Sequence, residues 1–176
     1  MNILAYANKQ SPNQLVGIKE LLEKHYAVYG RSFFSRYDYE EVSAVGAQSL
    51  VDAINVHIST GSLARTSHVS KSTGQKFTVA DVSNFDYTDP IDGSVSRNQG
   101  QIITFDDGSR VVFRLSGTGS QGATVRMYVE RYVPAEAGPA ELNKDTQEGL
   151  KGLIEVALQI SNLPEFLGRD KPTVIT

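Results

Sequence analysis

Apolar residues recur at helical spacing in the first sixty residues of the chain. The first such stretch runs from Ser11-Pro12, which is typical of a helix start, to Gly30, which is typical of a helix end. Its apolar positions are Leu15, Ile18, Leu22, Tyr26 and Tyr29. A second stripe predicts a helix that ends near Gly61, and it consists of Val42, Val45, Leu50, Ala53, Ile54 and His57.

A third helix is predicted near the end of the chain. Asp145 and Glu148 stand as the cap residue and its partner, and Pro134 to Pro139 precedes them as a connector rich in turn residues. The apolar stripe of this helix consists of Leu150, Leu153, Ile154, Ala157 and Ile160.

Between these helices the pattern changes to short runs rich in β-branched and aromatic residues, after a polar stretch from Gly61 to Gly74 that reads as a loop. The five runs are Phe77–Val79, Phe85–Tyr87, Gln101–Phe105, Arg110–Leu115 and Ala123–Tyr132. Asp107-Gly108 between the third and fourth runs predicts a tight hairpin.

The order of elements predicts the fold class α+β, an antiparallel sheet with helices packed on one face, plus an N-terminal helical segment. Residues 1–32 are helical and are predicted to belong to a separate packing unit from residues 33–176. The segment Phe33–Tyr37 joins the two, and Glu40-Glu41 is expected at the start of the second helix.

The net charge and the absence of cysteine exclude several kinds of function. The 176 residues carry a net charge of -3 with basic and acidic residues mixed, so no basic stripe for nucleic acid is expected. Without cysteine the chain has no disulfides and no thiolate metal site, which fits a cytoplasmic location. No signal peptide or membrane span is predicted, and no metal site is expected.

The most informative segment runs from Arg114 to Arg126 and contains the pattern G-x-G-x-x-G at Gly117, Gly119 and Gly122. A dinucleotide-binding fold would need a helix after this pattern, but Ala123 onward alternates as a strand does. A protein-kinase loop would need a later lysine strand and catalytic loop, which the sequence lacks. A glycine-rich hairpin whose backbone approaches an anion is the interpretation that remains.

The hairpin would place Arg114 directly opposite Arg126 if it is symmetric about Ser120. Two like charges facing each other are destabilising, and a phosphate between them would remove the repulsion. Arginine forks match phosphate oxygens, so the pair predicts a phosphate clamp. The alternative is a flexible glycine-rich turn with two solvated arginines.

The stretch Arg114–Glu130 resembles the phosphate-binding loop of the phosphoglucomutase branch of the α-D-phosphohexomutases. Four further segments of the chain resemble the same branch: Phe34–Val42, Asp89–Gly100, Asp107–Arg110 and Pro172–Thr176. Gln121 stands where a small residue is commoner in the family.

The resemblance implies a C-terminal domain with a TATA-binding-protein-like fold at residues 33–176, preceded at 1–32 by the helical tail of the third domain. It implies that seven residues bind the phosphate group of glucose phosphates that is not being transferred: Arg114, Ser116, Gly117, Thr118, Gly119, Ser120 and Arg126. The remaining domains of the mutase are the implied partners.

The family's catalytic serine, its magnesium loop and its sugar-selecting loop are absent from this sequence. The resemblance therefore implies magnesium and glucose 1,6-bisphosphate for the full-length enzyme, with no cofactor and no catalytic residue in this chain, which alone is predicted to be inactive. The abrupt start inside an apolar segment favours a piece of a longer chain. The alternative function is a stand-alone, non-catalytic module that binds phosphosugars or acts in an interaction.

Overall fold

The protein is built around an antiparallel sheet, which the computed structural model describes together with its helices over residues 2–10, 15–119 and 122–176. The strands are β1 (Arg31–Val42), β2 (Ser67–Val69), β3 (Lys76–Asn84), β4 (Tyr87–Thr88), β5 (Val95–Ser96), β6 (Gln101–Phe105), β7 (Arg110–Gly119), β8 (Gly122–Val133) and β9 (Val174–Ile175). Within these described residues, seven strands lie in the order β2-β3-β6-β7-β8-β1-β9, and β4 pairs with β5 as a separate ribbon.

Helices α3 and α5 pack on one face of this sheet, which confirms the predicted α+β class. The helices are α1 (Asn2–Gln10), α2 (Ile18–Tyr29), α3 (Ala44–Thr60), α4 (Pro139–Leu142), α5 (Thr146–Ser161) and α6 (Leu163–Leu167), with a 3-10 turn at Ala135–Ala137. Alternate residues of β7 and β8, such as Val111, Phe113, Val125 and Met127, are buried beneath α3 and α5. The residues between them lie on the opposite face of the sheet, away from the helical layer.

Strand β1 is the main departure from the sequence predictions. Residues 33–37 were expected to join two units and Glu40-Glu41 to begin a helix, but both segments belong to β1. Residues 31–39 and Val42 pair with β8, Tyr37 and Asp38 also pair with β9, and Glu40-Glu41 lies at the register shift between Tyr39 and Val42. The helix begins only at Ala44, where Ser43 Oγ accepts a hydrogen bond from the Gly46 amide at 3.3 Å. A central strand with polar residues on both faces lacks the apolar alternation that marks half-buried strands.

The predicted first helix begins later than expected. Ser11-Pro12 lies outside the described residues, Leu15 is exposed and not helical, and α2 starts at Ile18. Glu20 determines this start because its carboxylate accepts the Gly17 amide at 2.9 Å. The expected end at Gly30 is confirmed.

The hairpin expected at Asp107-Gly108 is confirmed, since β6 and β7 pair through it. Two details differ. The stretch 61–74 contains the short strand β2, and the expected strand at Phe85–Tyr87 is reduced to the two residues of β4.

Helix α5 packs its predicted stripe onto the sheet. Asp145 caps it by accepting the Gln147 amide at 2.8 Å, and Leu150, Leu153 and Ala157 are buried. The helix also lies very close to β1, since a Cβ added at Gly149 would sit 2.6 Å from the Phe33 ring. This contact explains a glycine inside a helix, where it otherwise lowers stability.

A polar network joins β1, α5 and the end of the chain. The Tyr37 hydroxyl donates to Gln147 Oε1 at 2.5 Å, and Gln147 Nε2 donates to Ser35 Oγ at 3.2 Å. Ser35 Oγ in turn donates to the Thr176 carbonyl at 3.0 Å. Burial raises the pKa of the Tyr37 hydroxyl, which therefore stays a donor at neutral pH.

Glu155 of α5 holds the loop that precedes β3. Its carboxylate accepts the hydroxyls of Ser72 at 2.6 Å and Ser70 at 2.7 Å, and the amides of Lys71 and Ser72 at 2.8 and 3.1 Å. These donors, with the Ser72 and Ser70 hydroxyls first, lower the pKa of Glu155 to about 2.

None of the helices in the described part of the chain has the length and apolarity needed to cross a membrane.

Candidate functional site

The two arginines of the glycine-rich segment face each other across adjacent strands. Arg114 of β7 pairs with Arg126 of β8, as the symmetric hairpin predicts. Both alternate with buried neighbours that point to the helices, so both lie on the helix-free face of the sheet. The structure thus brings two guanidinium groups to one side of one hairpin.

A third strand adds a carboxylate to this row. Asp38 of β1 is the register partner of Arg126, and Asp38 Oδ2 lies 3.6 Å from Arg126 Nε. Arg36, two residues earlier on the same face, donates from Nε to Asp38 Oδ1 at 2.8 Å. Two arginines thus contact one buried carboxylate, and together with Arg114 the cluster carries excess positive charge.

Both arginines of the pair keep unused donors. Arg126 Nε is buried and has no hydrogen-bond partner among the described residues, because 3.6 Å is too long for a hydrogen bond to Asp38. Arg114 is exposed and makes no side-chain hydrogen bond or ion pair with another described residue. A buried donor without an acceptor is rare in folded proteins.

Two irregularities in strand pairing bend the backbone beside the arginines. On β7 the pairing with β8 shifts register between Ser116 and Thr118. Gly117, which lies between them, has a φ of +68° and no ladder partner. On β1 the register with β8 shifts between Tyr39 and Val42, and Glu41 has a φ of +54°. Bulges of this kind redirect groups next to functional sites, and here they frame the tip of the hairpin.

Gly122 permits this close approach of β1 to the hairpin. Its φ is +100°, and an added Cβ would lie 3.0 Å from the Val42 carbonyl. A side chain at position 122 would therefore push the end of β1 away from β8.

The other predicted site residues are placed as follows. Ser116 lies on the same face as Arg114 and opposite Thr124. The backbones of Thr118 and Gly119 continue β7 and pair with Ala123 and Gly122, whereas Ser120 lies outside the described residues.

Asp38, Arg36 and Thr124 were not singled out as site residues from the sequence. The pattern Arg36-x-Asp38 places both side chains on one face of a strand. This pattern would have indicated the cluster had the segment been recognised as β1.

The loop before β6 is shaped by Asp86. Its carboxylate accepts the Asn98 amide at 2.8 Å and lies 3.6 Å from Arg97 Nη1, whose side chain is exposed. Arg97 is paired there, and it lines neither the arginine pair nor the bulge at Gly117.

Comparison with known proteins assigns the family. A family model described as Phosphoglucomutase-1, C-terminal domain, matches residues 31–173. The chain belongs to the phosphoglucomutases. Strands β1 to β8 and helices α3 to α6 lie in the matched region.

Curated phosphoglucomutases match along the whole chain. The chain is 45% identical to the cytoplasmic phosphoglucomutase of Mesembryanthemum crystallinum and 46% identical to the chloroplastic phosphoglucomutase of Solanum tuberosum, in each case over 100% of its length. It spans only 30% and 27% of those two proteins. Relatives named for the cytoplasm and for the chloroplast thus match about equally well.

A solved structure has the same fold. The open form of the exocytosis-sensitive phosphoprotein pp63/parafusin, a phosphoglucomutase from Paramecium, superposes with a TM-score of 0.76 and 36% sequence identity. The match covers 99% of this chain and 27% of the Paramecium chain. The chain therefore corresponds to the C-terminal domain of these enzymes.

Magnesium, which the family resemblance implies for the full-length enzyme, needs a set of oxygen ligands. Among the residues that the structure describes, no group of three or more His, Asp or Glu side chains is arranged to hold a metal ion. These residues do not fit a resident magnesium site.

Proposed function

We propose that the chain is the phosphosugar-binding C-terminal part of a phosphoglucomutase that interconverts glucose 1-phosphate and glucose 6-phosphate. Its task is to hold the phosphate that is not being transferred. The observation that supports this most directly is the register of Arg114 against Arg126 on the helix-free face.

The chemistry of this pair suits a phosphate dianion. Two guanidinium forks on neighbouring strands can each offer parallel N–H groups to phosphate oxygens. The anion relieves the repulsion between the arginines, and Gly117 at the bulge has no Cβ, which leaves its backbone open to the anion. The Ser116 and Thr124 hydroxyls, on the same face, are further donors.

Such a grip contributes to catalysis without touching the reacting bond. Binding energy at the distant phosphate orients the sugar so that its other end meets the groups that exchange phosphate. Those groups belong to the parts of the relatives that this chain does not span. The cytoplasm is the compartment we propose.

The test is a titration of the 176-residue chain with glucose 1-phosphate and with inorganic phosphate, followed by NMR. Shifts are expected at Arg114, Gly117, Gly119 and Arg126, with a dissociation constant on the order of millimolar because the site is open to solvent. Affinity should fall as salt rises. No shift at these residues at high ligand concentration would refute the phosphate site.

Matched variants sharpen the test. Arg114→Ala or Arg126→Ala should each weaken binding by about 1.5 to 3 kcal/mol, the usual value of a hydrogen bond to a charged group. Arg110→Ala is the control, since Arg110 lies on the same face but is paired with Glu130 at 2.6 Å. Equal weakening by all three variants would indicate general charge attraction without a clamp.

An activity assay distinguishes phosphate binding from catalysis of phosphoryl transfer. The 176-residue chain alone should show no conversion of glucose 1-phosphate to glucose 6-phosphate in a coupled assay. In a full-length enzyme carrying this segment, Arg114→Ala should lower kcat/KM by about the same 1.5 to 3 kcal/mol, while phosphorylation of the serine by a bisphosphosugar persists. Turnover by the chain alone would overturn the proposed division of labour.

A further inference from the structure

A row of apolar side chains crosses the helix-free face of the sheet beside the arginine pair. Ile102 of β6 pairs with Val112 of β7, and Val112 pairs with Tyr128 of β8, so the three lie side by side on neighbouring strands. Arg36 of β1, the register partner of Tyr128, ends the row. We call Ile102, Val112 and Tyr128 the apolar row. Arg114 lies two residues along β7 from it, which is a distance of about 7 Å.

The apolar row is the floor of a cavity with a volume of about 710 Å³, which is within the range of small-molecule sites. Two further aromatic side chains line its margins and are open to solvent, Phe34 with 73% exposure and Phe85 with 40%. Single exposed apolar residues are common on protein surfaces, whereas a contiguous group of this kind marks a binding surface.

The charged side chains around this floor leave one arginine free. Three arginines line the cavity: Arg36, Arg110 and Arg114. Arg110 is paired with Glu130 at 2.6 Å and Arg36 with Asp38 at 2.8 Å. Arg114 forms no ion pair with any residue that the structure describes. The charge that complements this cavity is therefore an anion at Arg114.

Gly100 keeps the space between Phe85 and Arg114 open. It lies beside Phe85, whose amide donates to the Gly100 carbonyl at 2.8 Å, and the register of β6 with β7 places it opposite Arg114. An added Cβ would lie 2.7 Å from the Phe113 carbonyl oxygen and 2.8 Å from Arg114 Cγ. No side chain fits there without displacing β7 or the stem of Arg114, so a ligand can reach Arg114 from the apolar row.

The floor and the free arginine together define the chemistry of a ligand. The apolar row offers a single hydroxyl, that of Tyr128, so a sugar ring placed on it would lose water without gaining hydrogen bonds. A flat aromatic ring buries apolar surface there without that cost, and it can stack on Tyr128 and Phe85. In a nucleoside monophosphate one pentose separates the aromatic base from the phosphate, which suits the separation between the apolar row and Arg114.

We propose that this cavity binds a nucleoside monophosphate, with the base on the apolar row and the phosphate at Arg114. Stacking does not discriminate strongly between bases, because every base has a π face, so the site recognises the class of ligand. The inference shares Arg114 with the proposed function. Nucleotide and phosphosugar therefore exclude each other, and the nucleotide acts as a competing ligand that is not converted.

The test compares AMP with ribose 5-phosphate, which has the same pentose and phosphate without the base. Both are titrated into the 15N-labelled 176-residue chain. AMP should bind about tenfold more tightly, as expected for the stacking of one base, and should shift the amide signals of Ile102, Val112 and Tyr128. Ribose 5-phosphate should leave those three signals in place. Adenosine, which lacks the phosphate, should bind about tenfold or more weakly than AMP.

The outcomes distinguish this inference from the proposed function. Equal affinity for AMP and ribose 5-phosphate would overturn the nucleotide site and leave the phosphate clamp standing. Equal affinity for AMP and adenosine would also overturn it, because no anion would then be bound at Arg114. AMP binding with the expected shifts, but no shift at the clamp with ribose 5-phosphate or glucose 1-phosphate, would refute only the proposed function.

Variants of the apolar row locate the base. Tyr128→Thr removes the stacking surface and should lose most of the tenfold preference for AMP, and Val112→Thr should weaken AMP binding about threefold at nearly unchanged volume. Val69→Thr is the matched control, since Val69 is 52% exposed on the edge strand β2 and does not line the cavity. Equal effects of Val112→Thr and Val69→Thr would overturn the proposed position of the base. If Tyr128→Thr fails to fold, Val112→Thr and the ligand comparison still decide.

A second copy of the chain is the other occupant that an apolar face of this kind admits. Analytical ultracentrifugation at the concentration used for NMR should show a monomer, with and without AMP. A dimer that AMP does not dissociate, and that is lost in Tyr128→Thr, would show that the apolar row is covered by protein and would overturn the nucleotide site.

Discussion

Asp38 lies directly across from Arg126, on the side opposite to Arg114, so that a carboxylate and two guanidinium groups form one row over three strands. The carboxylate is almost fully buried, and Arg126 Nε is 3.6 Å from it. Asp38 compensates one positive charge and leaves the other open to an anion. The row therefore contains one stabilising charge pair, Asp38 with Arg126, and one guanidinium group, that of Arg114, which can bind an anion.

The first prediction concerns this carboxylate. Asp38→Asn should lower the free energy of unfolding by about 1.5 to 3 kcal/mol, because it removes the charge from a buried hydrogen bond to Arg36 and leaves Arg36 and Arg126 uncompensated. Urea unfolding measures the change. Glu130→Gln is the control, since Glu130 pairs with the exposed Arg110 and should cost less than about 1 kcal/mol. Equal losses would contradict a special role of Asp38.

The second prediction concerns the bulge. Gly117→Ala should destabilise the fold by roughly 1 to 2 kcal/mol, since its φ of +68° disfavours a Cβ even though open space surrounds it. It should also weaken phosphate binding, because the strained backbone shifts beside the arginines.

Gly61→Ala separates these two effects. Gly61 has a φ of +64° and equally open surroundings at the end of α3, away from the hairpin. The same loss of stability with unchanged phosphate affinity is expected. Weakened phosphate binding in both variants would show that general destabilisation is the cause.

The third prediction is a pH dependence from Glu155. Its folded pKa of about 2 lies below the ordinary value, so its contribution to stability is fully present above about pH 5 and is lost as pH falls towards 2. Glu155→Gln should therefore lower stability at pH 7, and the difference from the unaltered chain should shrink on acidification. Thermal unfolding from pH 7 to pH 2 measures this.

The matched change for Glu155 is Glu136→Gln, which removes an exposed carboxylate with no hydrogen bond or ion pair among the described residues. A constant difference between Glu155→Gln and the unaltered chain at every pH would show that the loop is held by something other than the ionised carboxylate.

The fourth prediction tests the contact between α5 and β1. Gly149→Ala gains about 1 kcal/mol in helix propensity, but the added methyl would lie 2.6 Å from the Phe33 ring, and overpacking costs about 1 to 3 kcal/mol. A net loss of stability is expected. Lys151→Ala, on the exposed side of the same helix, should change stability by less than about 0.5 kcal/mol. A net gain at position 149 would mean that Phe33 moves aside at little cost.

The elements that the sequence predicted well are those with a local signal. Helix α5 has a cap at Asp145 and a continuous stripe, and the turn at Asp107-Gly108 has its own backbone preference, so neither needs distant contacts to be recognised. The pairing of Arg114 with Arg126 was also predictable, because the two strands are neighbours in sequence.

The elements that escaped prediction depend on distant partners. Ser35 and Asp38 of β1 are buried because of Gln147, Arg36 and Arg126, and polar residues at buried positions hide the strand pattern. The start of α2 was misplaced because Ser11-Pro12 carries a stronger start signal than Gly17, although Glu20 completes the cap at Gly17.

The position of β1 in the sheet has a consequence for how the protein assembles during synthesis. Strands β7 and β8 follow each other in the chain, whereas Arg31 of β1 must find Val133, far downstream. Closing so long a loop costs entropy before any contact repays it, so the hairpin can form first and β1 docks afterwards. A chain emerging from the ribosome would thus bring two like charges together before their counter-charge arrives with Asp38. Docking of the first-made strand of the sheet and arrival of the Asp38 carboxylate beside Arg126 are one and the same event.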